Sequence, residues 1–258
     1  MRFIETHCHL DYLKDLPLDE LRSKITAAGI DKVITIGVDP ENLDRVQQIS
    51  DACTEIYYTQ GIHPHDARLA TEVEFEKIVQ RSGAPKMVAV GEIGLDYHYN
   101  NSPPEVQRAV FERQLQLACD HDLPVVIHTR DADEDTRDIL KNFSGMLKRK
   151  GVVHSFTSTR ELAEFILSEN FFLGFNGIIT FKKAENVQEV VKLTPASHIL
   201  FETDSPFLTP VPHRGKENAP YYLPFIAAKI AELKNADPQA LAETVYENSL
   251  RCFFKLNS

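Results

Sequence analysis

Eight short apolar runs alternate with helix-like stretches along the chain, with no linker, repeat or low-complexity segment between them. The first run, Phe3-Ile4-Glu5-Thr6, passes into His7-Cys8-His9. Strand-like runs follow at residues 32–37, 55–60, 86–90, 124–127, 152–153, 171–175 and 199–201. Amphipathic stretches at 19–28, 40–52, 71–81, 104–121, 133–147, 159–168 and 184–192 fill the intervals. Asp39 is an expected N-cap, and Pro40 and Pro104 suit first helical turns. Uninterrupted apolar runs suit strands covered on both faces. Strict alternation of such strands with helices predicts a parallel (β/α)8 TIM barrel of the α/β class, not an open doubly wound sheet. Two more helices, at 222–234 and at 238–254 behind Asp237, would complete the outer layer and add an extra C-terminal helix. At 258 residues the whole chain, 1–258, is expected to form a single domain.

In such a barrel the active site is built at the C-terminal ends of the strands. Five of the eight runs reach a histidine or an acid there: His7 and His9, Glu92, His128, His154 and Asp204. Residues two apart on a strand share a face, so His7 and His9 project together. Six such groups exceed the three that an open tetrahedral metal site takes. They suit two divalent ions, with His7, His9 and Asp204 on one, His128 and His154 on the other, and Glu92 between them. Mixed nitrogen and oxygen ligation favours Zn²⁺, Mn²⁺, Ni²⁺ or Fe²⁺ over Ca²⁺, and Mg²⁺ fits where phosphates and waters complete the shell. Two such ions activate a water and clamp a phosphoryl group, and Asp204 is placed to accept the proton as general base.

These motifs are similar to those of the TatD family of metal-dependent deoxyribonucleases, within the amidohydrolase-like superfamily of metal barrels. The matching stretches are Thr6-His7-Cys8-His9-Leu10-Asp11, Gly61-Ile62-His63-Pro64, Val90-Gly91-Glu92-Ile93-Gly94-Leu95-Asp96-Tyr97, Val126-Ile127-His128-Thr129-Arg130-Asp131-Ala132, Val153-His154-Ser155-Phe156 and Phe201-Glu202-Thr203-Asp204-Ser205-Pro206, with Asn248-Ser249 near the end. Ser155 departs from the cysteine common at that position. The resemblance implies a (β/α)8 barrel, two divalent metals on His7, His9, Glu92, His128, His154 and Asp204, and hydrolysis of DNA phosphodiester bonds, often from a 3′ end. It also implies that His63 faces substrate and is not a metal ligand. There it can donate to a phosphate oxygen or protonate a leaving alcohol, and His65 stands at the same rim. Arg130 is an expected phosphate contact, or else the partner of Asp131 or Glu134. The segment from Thr209 to Asn218 resembles the family's loop after the last strand, and its Arg214 and Lys216 can bind phosphates. His98, His121, His198 and His213 read as surface residues, and Cys8 as core.

A net charge of −10 argues against extensive non-specific duplex binding but not against a nuclease, because a metal cluster supplies local positive charge. With no groove-reading helix evident, single-stranded or frayed DNA ends are the expected substrate. The alternative reading is an amidohydrolase or lactonase acting on a small carbonyl compound. Many of those enzymes bridge their metals with a carboxylated lysine, where this chain has Glu92. A non-catalytic barrel would be expected to lack one or more ligands, and all six are present. No G-x-G-x-x-G or Walker pattern occurs, so no nucleotide cofactor is expected. The longest apolar runs fall far short of the ~20 residues a membrane helix needs. The first run follows Met1-Arg2 directly, and Cys8, Cys53, Cys119 and Cys252 are scattered without C-x-x-C spacing. No signal peptide and a reducing cytoplasm are therefore expected, with a monomer or weak oligomer as the form.

Overall fold

A computed structural model describes residues 1–254 of the protein; the last four positions of the expected domain lie outside the described residues. Among the described residues eight strands form, β1 (Phe3–Cys8), β2 (Ile30–Thr35), β3 (Ile56–Gln60), β4 (Met87–Asp96), β5 (Val125–Arg130), β6 (Gly151–Val153), β7 (Phe172–Phe175) and β8 (Ile199–Phe201). Each is parallel to the next from β1 through β8. Just past the end of β8, Asp204 N donates to His7 O at 2.9 Å and His9 N donates to Ser205 O at 2.8 Å, drawing the last strand against the first. The fold is a (β/α)8 barrel.

Alternation along each strand separates two apolar layers. In β5, Val126 packs with Ile34, Ile36, Val88, Val152, Phe172 and Leu200 inside the barrel, while Val125 and Ile127 join the larger cluster shared with the helices. Those helices are α1 (Leu18–Ala27), α2 (Asn42–Asp51), α3 (Glu72–Arg81), α4 (Pro104–His121), α5 (Asp133–Phe143), α6 (Arg160–Ser168), α7 (Glu185–Leu193), α8 (Leu223–Lys234) and α9 (Pro238–Phe253). Their starts follow local chemistry. Thr71 and Glu74 close a capping box on α3, Thr159 caps α6 and Asp237 caps α9. Asp39 acts one turn ahead of α2, its Oδ1 accepting from Glu41 N and Asn42 N at 2.8 and 2.9 Å. The extra helix α9 covers the bottom of the barrel. Its Cys252 and Phe253 pack on the interior layer, and Asn248 Nδ2 donates to Ala196 O and Ile199 O where β8 begins. No helix among the described residues is long and apolar enough to cross a membrane.

Two strand ends depart from expectation and matter for the site. The fourth run was expected to stop at Val90 and the fifth at Ile127, but β4 continues to Asp96 and β5 to Arg130. The two stay paired through Gly94–His128 and Asp96–Arg130, with a register shift between Gly91 and Ile93. The glycines and acid that interrupt the apolar pattern of β4 do not interrupt its ladder, because ladder bonds come from backbone. Glu92 therefore sits within β4, and Asp96 ends it.

Candidate metal centre

Glu92 is the hub of the barrel mouth. Its Oε1 lies 2.7 Å from His154 Nε2, 3.1 Å from His128 Nδ1 and 3.4 Å from His63 Nε2. Its Oε2 lies 3.5 Å from His7 Nε2. On the far side of His7, Asp204 Oδ1 is 3.7 Å from His7 Nε2 and 3.5 Å from His9 Nε2. The His7 and His154 rings stack at 3.8 Å. The structure thus draws the six expected ligands, from five strands, into one contiguous cluster. Within it, ligand atoms of His7, His9 and Asp204 fall within 4.8 Å of one another, as do those of His63, Glu92 and His128, and those of His7, His154 and Glu202.

The donor chemistry fits a divalent metal. His7 Nδ1, His7 Nε2, His9 Nδ1 and His154 Nδ1 are buried without hydrogen-bond partners. An unpaired buried polar atom costs about 1–3 kcal/mol, a penalty these imidazoles would shed where they coordinate an ion. Neutral imidazole nitrogen and carboxylate oxygen are also the ligands such ions take.

Charge in the cluster is balanced locally. Burial works against ionisation of Glu92, but His154, His63 and His128 around it outweigh that and hold its pKa well below the usual carboxylate range. Burial likewise disfavours a charged His128, yet hydrogen bonds to Asp96 and Glu92 push its pKa up to about 9. His7 is pushed down to about 4 by burial and by neighbouring His154. Asp204 stays below its ordinary value despite burial because His9 lies beside it.

His63 has a fixed tautomer. His65 N donates to His63 Nδ1 at 3.1 Å, and a backbone amide can only donate. Burial pushes the His63 pKa down to about 4, so the ring is neutral near pH 7 and carries its proton on Nε2. That nitrogen faces Glu92 as a donor, which distinguishes His63 from the candidate metal ligands despite its place in the cluster.

Three further acids support the site and were missing from the expected set. Asp96, 1% exposed, takes His65 Nε2 and His128 Nε2 on one oxygen at 3.0 Å each, and His98 N and Tyr99 N on the other. Glu5 accepts from His7 N and Thr203 N at 3.0 Å, tying β1 to the end of β8. Glu202 accepts from Ser155 N at 2.6 Å, and Ser155 Oγ accepts in turn from Asn176 Nδ2. Burial pushes the Glu5 pKa up to about 8 and raises that of Glu202 well above its ordinary value. The available signal was an acid inside an otherwise apolar run.

The cluster opens into a cavity of about 670 Å³ that also takes in Tyr12, His65, Asp66, Tyr99, Arg130 and Phe207. Arg130 pairs with neither Asp131 nor Glu134; its guanidinium lies over the Tyr99 ring at 4.8 Å. Asp131 pairs with His98 instead. Arg214 and Lys216 do not line this cavity. Arg214 stacks on Phe181 at 4.0 Å and donates to Thr209 O.

Comparison with known proteins places this geometry among relatives. The family described as "TatD related DNase" matches residues 4–254. An uncharacterised metal-dependent hydrolase of Bacillus subtilis, YabD, is 40% identical over 250 residues, covering 96% of this chain and 98% of its own. A protein of Escherichia fergusonii named 3′-5′ ssDNA/RNA exonuclease TatD is 32% identical over 236 residues, covering 89% of this chain and 90% of its own. The crystal structure of YjjV, a TatD homologue from Escherichia coli K12, superposes with a TM-score of 0.92 at 30% identity, covering 99% of both chains.

Proposed function

The chain belongs to the TatD-related DNase family of metal-dependent hydrolases, and from that premise we propose that it removes nucleotides from single-stranded DNA ends, in the 3′ to 5′ direction. The observation that carries this reading is the convergence of His7, His9, His128, His154 and Asp204 around Glu92 at the barrel mouth. His7, His9 and Asp204 would hold one divalent ion, His128 and His154 a second, with Glu92 shared; Mg²⁺, Mn²⁺, Zn²⁺ and Ni²⁺ all suit this set. When bound, two such ions acidify a water and offset charge on a phosphoryl group. Asp204 takes the proton of the attacking water, its ionised state at neutral pH matching that role. The His63 Nε2–H donates to a phosphate or leaving oxygen, and Arg130 and His65 border the path of the strand. Arg214 and Lys216 would meet the strand only beyond the cavity. The described cysteines are all free, which suits a reducing cytoplasm, and we take residues 1–258 as one domain acting as a monomer or weak oligomer.

The test is digestion of a short end-labelled single-stranded DNA with each metal, beside Asp204→Asn and Glu92→Gln. Stepwise shortening from the 3′ end is expected. Asp204→Asn should lower kcat by at least about 100-fold with most metal retained, as for loss of general-base catalysis. Glu92→Gln should weaken both metals together in a calorimetric titration. No cleavage with any metal, alongside turnover of a lactone or amide, would move the substrate to the carbonyl class. Near-normal turnover by Asp204→Asn would remove it as the base.

A further inference from the structure

Two exposed aromatic rings stand at the mouth of the metal cavity, and the chemistry above uses neither. Tyr99 follows β4 and is 57% exposed; Phe207 follows β8 and is 51% exposed; both line the cavity. In an eight-stranded barrel, β4 and β8 lie four strands apart, so the rings occupy opposite lips. Both are anchored. Phe207 N donates to Asp204 O at 2.9 Å, and its carbonyl accepts from Asn218 Nδ2, which also donates to Thr203 O. The Phe207 ring stands edge-on to His9 at 6.1 Å. Tyr99 N donates to Asp96, its ring is nearly perpendicular to His65 at 5.4 Å, and Arg130 lies over it.

A single exposed ring needs no explanation, but two rings anchored on opposite lips of one candidate metal cavity do. Every nucleobase has a π-face that stacks on an aromatic side chain, and such stacking tolerates any sequence. We infer that Tyr99 and Phe207 are base-stacking platforms, each taking one of the two nucleobases that flank the scissile phosphate. The inference rests on the nuclease reading and names the feature of the substrate that the site selects. A phosphate at the metal cluster lies between the lips, so its two neighbouring bases must splay toward opposite walls. In a duplex, successive bases are stacked about 3.4 Å apart and cannot splay without unpairing. Preference for unpaired ends then follows from where the rings stand. Arg130, over Tyr99, adds a guanidinium that is free of ion pairs among the described residues and lies on the same lip as one of the stacked bases.

The test is a cycle between protein and substrate. Wild type, Tyr99→Ala, Phe207→Ala, Tyr99→Phe and Phe207→Trp are compared on a single-stranded deoxyoligonucleotide, and on the same strand with its last two nucleotides abasic. On the intact strand each alanine variant should lose about 5- to 150-fold in kcat/KM, and the aromatic replacements should keep most of it. On the abasic strand, which lacks both stacks, wild type should be slowed by more than either alanine variant is on the intact strand, and the alanine variants should be no slower there than wild type. Equal losses on intact and abasic strands would overturn the stacking role, as would no loss on either. If wild type degrades no DNA with any metal, the nuclease reading itself has failed. If wild type degrades it and the cycle shows no coupling, only the platforms have.

Discussion

His128 presents Nδ1 to Glu92 because Nε2 is held from behind by Asp96, which also holds His65. A carboxylate behind a metal-binding imidazole fixes its tautomer and raises its basicity, and losing that partner commonly costs 10- to 100-fold in metal affinity. Asp96→Asn keeps the size but offers only one accepting oxygen and no charge. It should weaken metal binding by about 10- to 100-fold, read by calorimetric titration of Mn²⁺ or Zn²⁺, and lower the melting temperature, because the amide NH2 then faces buried donors. Unchanged affinity would show that Asp96 merely fills space. The six candidate ligands were legible in the sequence because each follows or closes an apolar run. Asp96 lies in the same motif as Glu92, but its partners, His65 and His128, come together only once three strands are side by side. Glu5 and Glu202 were missed for a similar reason, as their bonds go to backbone amides of distant segments that carry no side-chain signature.

The element that departs from its sequence pattern is β4, and its glycines show how it stays a strand. Gly94 has φ +138°, and a Cβ there would lie 2.0 Å from His128 O. Only glycine lets β4 approach β5 so closely at the level of His128. Gly94→Ala should therefore destabilise the protein by about 2–4 kcal/mol, lowering the melting temperature by about 5–15 °C, and displace His128 enough to weaken metal binding. Gly83, whose added Cβ would meet nothing within 4 Å, serves as the control, and Gly83→Ala should leave both readings near wild type. A thermal melt paired with the metal titration checks both. Where local signals coincide, the sequence and the structure agree closely: α4 spans Pro104–His121 as expected, its proline set at the first turn. Where pairing overrides pattern, as in β4 and β5 beyond Val90 and Ile127, the apolar run ends before the strand does.

At the scale of the whole molecule, charge constrains how DNA would be held. The chain carries −10, and among the described residues Arg130 is the sole lysine or arginine lining the cavity. A single-stranded ligand contributes a salt slope of about −0.7 per phosphate neutralised by protein. With so few cations at the mouth, a plot of log(1/KM) against log salt concentration should be no steeper than about −1.5. A slope near −4 would reveal an extended basic track outside the cavity. The barrel itself was legible because eight strand–helix units leave few topologies open, whereas the contacts across its mouth join residues far apart in sequence and have no local trace. The seam between β1 and β8 carries a consequence for the chain during its synthesis. His7 and His9 leave the ribosome long before Asp204, which is hydrogen-bonded to His7 across that seam. A nascent chain therefore lacks the proposed base, itself a candidate metal ligand, until the segment after β8 has been translated. The activity proposed here would stay latent until that segment has emerged, while the chain is still tethered beside messenger RNA.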